Sequence, residues 1–311
     1  MAFDFAAVTA PFRMQPGLRS LAPGAAQLTP SQPGERAFEE KLAVLTHHAD
    51  QALLSAPGFE AGAALQALCD HAEAEHPQAL QRSVGGVNAP LLGWGLQGDA
   101  VAGDGPAEIG RCLAALPAPW RLAGLLSLAF AEDFAVIDGQ TATIPWMAVC
   151  LPSHWSPQEK IGRHFAQVHA PVADNRLLLA ASDHLARLVT GTQRWERFVW
   201  TIVPEARLDM HPQRTPKRPW PADADAEGLA RSAFLRTERQ TFIPLPGAGQ
   251  AIFTIYVESR PLAEAVSPAD AAALHAALAT MSDSVLAYRA LAPAKDRLLT
   301  WLAARAASAA R

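Results

Sequence analysis

Apolar residues recur at helical spacing from Glu35 to about Ser55, where Phe38, Leu42, Leu45, Ala49 and Leu53 share one face. A second stretch of the same period runs from Ala61 to about Leu80. Two amphipathic helices are predicted. The first 35 residues carry Pro11, Pro16, Pro23, Pro30 and Pro33 among several glycines and cannot sustain a helix, which predicts an arm extended across a folded body. After a glycine-rich passage between Gly85 and Gly105, read as a loop, a short helix is predicted over Ala107 to Leu116. The pattern turns strand-like between Trp120 and Leu151, with Asp138-Gly139 as a two-residue turn between Phe134–Ile137 and the segment from Thr141 to Cys150.

Ser156-Pro157-Gln158-Glu159 has Ser at a plausible N-cap, Pro at N1 and Glu at N3, so a helix is expected to start there and run to Gly162 or beyond. Leu177, Leu178, Ala181, Leu185 and Leu188 mark a helix over 175–190 that stops at Gly191. Strands follow over Trp195–Val203, Phe234–Ile243 and Ala251–Glu258, the last two joined at Pro246-Gly247-Ala248-Gly249 as a hairpin. The proline-rich segment 211–226 is a loop, and the C-terminus returns to helix, capped at Ser267-Pro268 and again just before a helix over Lys295 to Arg311. Strands and helices do not alternate as a parallel sheet requires. The expectation is therefore an α+β fold, one antiparallel sheet flanked by N- and C-terminal helices, in a single domain over 1–311.

Half of the 311 residues are hydrophobic and 18% are charged, which excludes whole-chain disorder. Lys plus Arg total 26 against 30 Asp plus Glu, so no basic excess draws a phosphate backbone, and nucleic acid is not expected as a partner. Cys69, Cys112 and Cys150 lie far apart and form neither a disulfide framework nor a Cys-x-x-Cys pair. With an acidic residue in the first few positions and no apolar run of membrane-span length, the chain is expected to be cytoplasmic, with no membrane partner.

Gly93-Trp94-Gly95-Leu96-Gln97-Gly98 matches G-x-G-x-x-G, but the proline-broken segment before it and the glycines after it are wrong for a strand–helix nucleotide site. No H-E-x-x-H pair and no G-x-S-x-G elbow occurs. Two denser constellations remain. The first holds Pro152, Ser153, His154, Trp155, Pro157, Lys160 and Gly162, then Arg163, His164 and Val168-His169-Ala170-Pro171-Val172. The second is the strand Arg236-Thr237-Glu238-Arg239-Gln240-Thr241 before Ala251-Ile252-Phe253-Thr254-Ile255. Period two puts Arg236, Glu238 and Gln240 on one face and Arg239 and Thr241 on the other. Spacing alone favours an exposed face bearing an Arg–Glu pair of little energetic consequence.

These two constellations, in this order, resemble the heme-binding subunit of heme-dependent oxidative N-demethylase, also called dimethylamine monooxygenase. The likeness extends to Pro11-Phe12-Arg13-Met14, to Glu132-Asp133 and to the helical C-terminus. The chain departs from the family pattern at Ala173-Asp174-Asn175 and at Ala129-Phe130-Ala131, positions that concern substrate identity more than cofactor anchoring. The resemblance implies a PAS-like sheet that holds heme b for oxygen chemistry. It implies hydroxylation of an N-methyl carbon of a dimethylamine-like secondary amine, and collapse of the carbinolamine to formaldehyde and the demethylated amine.

A heme iron needs an axial ligand, usually a neutral imidazole oriented through its other ring nitrogen. His169, inside the best-matching motif and followed by Ala170-Pro171, which favours an extended backbone, is the expected ligand, with His164 as runner-up. Lys160, Arg163 and Arg239 are the candidates for the heme carboxylates. Glu238 is the candidate for the amine, with Glu132 and Asp133 behind it. The chain has neither a cysteine cluster for iron–sulfur ligation nor a dinucleotide fold, so NADPH, FMN and an iron–sulfur cluster are expected on reductase or electron-transfer partner subunits. The alternative is a heme-binding PAS-like sensor or carrier without turnover.

Overall fold

The computed structural model describes residues 3–308. Its strands are β1 (Arg19–Ser20), β2 (Leu53–Ser55), β3 (Gln81–Ser83), β4 (Gly86–Ala89), β5 (Trp94–Gln97), β6 (Ala100–Gly103), β7 (Asp133–Asp138), β8 (Thr143–Ala148), β9 (Trp195–Val203), β10 (Phe234–Leu245) and β11 (Gln250–Pro261). A seven-stranded sheet runs β1-β9-β10-β11-β7-β8-β2, and a separate four-stranded sheet runs β3-β4-β5-β6. Every pairing is antiparallel, as the α+β expectation required.

One face of the large sheet is closed by the helices Arg36–His47, Gly62–Glu75, Ala107–Ala115 and Arg121–Ala129. Phe38, Leu68, Leu113 and Leu125 pack there with Phe134, Val136 and Ile252. At one end of β9 and β10, the helices Ala226–Ser232, Pro268–Ala279, Asp283–Tyr288 and Lys295–Ala307 bury Trp200, Ile202 and Leu235. The cap expected at Ser267 is present, its side chain accepting from the Asp270 N–H with Pro268 in the first turn. The opposite face of the sheet is covered chiefly by the segment 151–190, with Arg207 and Leu208 over Arg236 and the N-terminal arm along β9, and a cavity lies beneath that cover.

Several local expectations change. The first amphipathic segment breaks at His48, and Leu53–Ser55 pairs with β8 as an edge strand instead of ending a helix. The glycine-rich passage is a meander of four strands: a Cβ on Gly95 would lie 2.6 Å from the Val87 carbonyl oxygen and one on Gly103 2.3 Å from that of Gly93. Glycine here serves backbone approach within a sheet, which disposes of the nucleotide motif. Arg121–Ala129 is helical, not strand-like; apart from Arg121 and Ser127 its residues are apolar, and Ala123–Ala129 are buried all round.

The Asp138-Gly139 turn is wider than two residues, since β8 resumes only at Thr143. Asp138 Oδ1 holds the loop by accepting from the Gln140 and Thr141 N–H groups. Ser156 starts only a single 3₁₀ turn, Pro157–Glu159, because its hydroxyl donates to Gln158 Oε1 and caps nothing. The helix over 175–190 is divided at Ala181 into Arg176–Ala180 and Ser182–Val189.

Candidate cofactor-binding site

Period two along the strands, combined with their register, lays out the face beneath the segment 151–190 in rows. One row crosses the sheet as Arg197, Gln240, Ile255 and Asp133. A second, wholly apolar apart from the Trp195 N–H, reads Trp195, Phe242, Phe253, Ala135 and Met147, and a third sets Glu238 between Val199 and Val257. A register shift between Val136 and Asp138 is the irregularity that brings Ile144 to this face beside Met147. Between these rows and the covering segment lies a cavity of ≈ 820 Å³ with its open mouth included.

The covering segment is hung on the sheet by its backbone. The Gly162 N–H donates to Ile144 O at 2.8 Å and the Phe165 N–H to Ala142 O at 2.7 Å. Gly162 sits at φ +67°, a conformation glycine adopts without strain, so the chain turns there between Lys160 and the helix Phe165–His169. That helix begins with a reciprocal cap: His164 Nδ1 accepts from the Ala166 N–H at 3.2 Å, and Gln167 Oε1 accepts from the His164 N–H. His164 Nε2 lies 3.0 Å from Asp183, so both nitrogens of the runner-up histidine are engaged outside the cavity.

His169, the last residue of the helix, lines the cavity. Its Nδ1 donates to Phe165 O at 2.9 Å, and the two rings lie 4.1 Å apart. The carbonyl can only accept, so the proton is on Nδ1 and Nε2 carries the lone pair. Nε2 makes no hydrogen bond among the described residues. Burial pulls the imidazole down to about 4, and the positive charges of Lys160 and Arg197 add to the effect. Ala170, expected to be extended before Pro171, is instead helical at φ −56°, ψ −36°, and continues the turn that aims His169.

Three cations and a carboxylate gather at one end. Arg236 is buried and uses all three nitrogens, donating to Ser153 Oγ and to the carbonyls of Arg207, Leu151 and Leu208. Glu238 accepts from the Ser153 hydroxyl and from Gln240 Nε2 at 2.6 Å. Lys160 Nζ stands 4.1 Å from the centre of the Trp155 ring, with no carboxylate in contact among the described residues, and burial pulls it down to about 8 against the opposing charge of Glu238. Arg197 Nε is buried without a partner, and burial lowers that guanidinium as well.

Arg197 was not anticipated. The one available signal was an arginine in period two with Trp195 and Val199, on a strand face otherwise polar only at Thr201. Arg163 is exposed and does not line the cavity. Arg239 faces the other side of the sheet, where Nε donates to Glu196 at 2.9 Å and Nη1 to Ala26 O, so it has no access to the cavity. The alternation predicted along β10 therefore holds, but both of its faces are covered and the Arg236–Glu238–Gln240 row is interior.

Asp133 reaches the cavity, with Oδ2 accepting from the Leu151 N–H at 2.7 Å and Oδ1 3.3 Å from the enclosed Lys41 ammonium. Burial raises this carboxyl. Its neighbour Glu132 is not among the residues lining the cavity. Glu132 accepts from the Thr29 N–H, and burial pushes it up to about 7.

A family model described as haem-dependent oxidative N-demethylase, alpha subunit-like, matches residues 36–299, a span that holds the cavity and both motif constellations but not the N-terminal arm. No curated protein matches the chain.

Proposed function

The chain belongs to the haem-dependent oxidative N-demethylase alpha subunit-like family, and from that premise we propose that its cavity holds heme b for oxidative demethylation of a secondary amine. One observation carries this reading: a neutral imidazole lining the cavity, its Nδ1 tied to a carbonyl and its Nε2 without a hydrogen-bond partner among the described residues, which is the state an axial ligand requires. The rest of the donor set agrees. Lys160 and the unpartnered Arg197 suit the two heme carboxylates, and the Phe242–Phe253–Ala135–Met147 row with Val168 suits a flat apolar ring. In this reading the large sheet is PAS-like and the chain forms a single heme-binding domain.

Heme, when bound, supplies activation of O₂ for hydroxylation of an N-methyl carbon. This chain's residues bind and orient. His169 and the helix that carries it hold one side of the cavity, and Glu238 and Gln240 line the sheet side. Glu238, held by Ser153 and Gln240, is the group that receives the amine. Its setting gives the site a dependence on its own cofactor. Lys160, Arg197 and Arg236 outweigh Glu238, so the cluster repels an ammonium until two further carboxylates balance it.

In this reading partner subunits supply the electrons, in keeping with the alpha-subunit description of the family. NADPH, FMN and an iron–sulfur cluster belong to those partners. The test is reconstitution with heme b, followed by dimethylamine, O₂ and a chemical reductant. A Soret band with formaldehyde release supports the enzyme. A Soret band with no formaldehyde from any methylated secondary amine leaves the sensor or carrier reading, and no Soret band ends both.

A further inference from the structure

A second cavity, ≈ 1050 Å³ with its mouth, lies between the N-terminal arm and β9 and touches the first at Arg197. Among the described residues no carboxylate lines it, while four arginines do. Arg19 is neutralised by Asp4 and by Glu196 at 2.9 Å. Among the described residues, no carboxylate pairs with any of the other three. Arg13, exposed on the arm, has no ionic partner; Arg197 keeps its buried Nε free; and the Arg289 guanidinium sits 4.7 Å from the Phe12 ring centre and donates to Trp200 O and Met14 Sδ. Apolar side chains, Met14, Leu18, Leu178 and Val199 among them, complete the wall.

Unneutralised cations over an apolar wall recognise an anion with an apolar body. We propose that this groove binds a small organic carboxylate, separate from heme, with Arg13 and Arg289 on the carboxylate and the arm as one wall. The occupant is small because the arm residues from Ala6 to Arg19 wall the groove on one side against the strand, which leaves no flat face for a folded partner. It is distinct from the heme carboxylates because Lys160 and Arg197 already match those two charges within the first cavity.

Calorimetric titration of heme-loaded full-length chain with benzoate tests this. Saturable binding that Arg13→Ala weakens about tenfold, the loss of one charge-assisted hydrogen bond, is expected, with the Soret band of that variant unchanged. Arg13 is exposed and unpaired, so the variant folds. Absence of saturable heat overturns the proposal, and so does equal binding by Arg13→Ala. Binding seen only before heme is loaded also overturns it, by showing that the groove is room for the cofactor's own carboxylates. Protein that takes up no heme is titrated in the same way, so failure of the heme reading does not decide this one.

Discussion

His169 donates from Nδ1 to the carbonyl oxygen of Phe165, one helical turn earlier, at 2.9 Å. The bond fixes the tautomer on a ring that lines the cavity, leaving the lone pair on Nε2, and burial keeps the ring neutral. His169→Ala is expected to abolish or shift the Soret band of heme-reconstituted protein, with free imidazole restoring it. His164→Ala is expected to leave it in place, since that ring is occupied by Ala166 and Asp183. The reverse pattern in the two spectra would transfer the ligand to His164.

The cations predict a graded loss of cofactor affinity. Lys160→Met and Arg197→Met are each expected to weaken heme binding about tenfold or more, the magnitude of a charge-assisted hydrogen bond. Arg163→Ala, exposed and outside the cavity, is expected to change nothing. Heme titrations followed by absorbance check all three, and an Arg163 effect as large as that of Arg197 would sink the assignment.

Glu238→Gln keeps the shape and loses the charge. Amine-induced changes in the heme spectrum are expected to disappear in this variant while the Soret band itself remains. Undiminished amine binding would exclude Glu238 as the receiving group. Wild-type protein without heme is expected to bind no dimethylamine, because the cavity's cations are then in excess.

Opposing titrations govern stability in acid. His169 and His154 are both pulled to about 4 from an ordinary value of 6.5, so between those limits the unfolded chain binds more protons and stability falls as pH falls. Glu132, raised to about 7 from 4.5, retains a proton in the fold that the unfolded chain releases, so its contribution is lost as pH rises through that window. The two trends partly cancel. Glu132→Gln, still able to accept from Thr29, is expected to steepen the loss of stability from pH 6.5 to 4.5 in urea titrations of heme-free protein; a shallower slope would refute the sign.

Arg239 predicts a stability effect without a cofactor effect. Arg239→Ala leaves Glu196 buried and dependent on Arg19 alone, at a cost of about 3 kcal/mol, the low end for a broken buried pair. Denaturant unfolding measures the loss. The heme spectrum of the variant is expected to match wild type, because the side chain lies across the sheet from the cavity.

The pattern of apolar positions determined much by itself: the strand Trp195–Val203, the long hairpin around Pro246–Gly249, the helix after Ser267-Pro268 and the extended arm are all local statements about period, caps and prolines. The motif around Lys160 and His169 also pointed to the cavity. Local pattern could not say which face of β10 would be covered by what. Alternation separates Arg239 from Glu238 but leaves open which row meets a cavity, because that depends on the register with β9 and β11 and on where the segment 151–190 packs. The same limit hid Arg197, whose unpartnered Nε becomes meaningful only when β9 lies beside β10, and misread the glycines near Gly95 as a loop when their role is to let the backbones of adjacent strands approach. Spacing along a chain fixes periodicity, which is a short-range property; the charge environment of a buried group is set by neighbours distant in sequence, and only the folded arrangement brings Lys160, His169, Arg197 and Glu238 to one cavity.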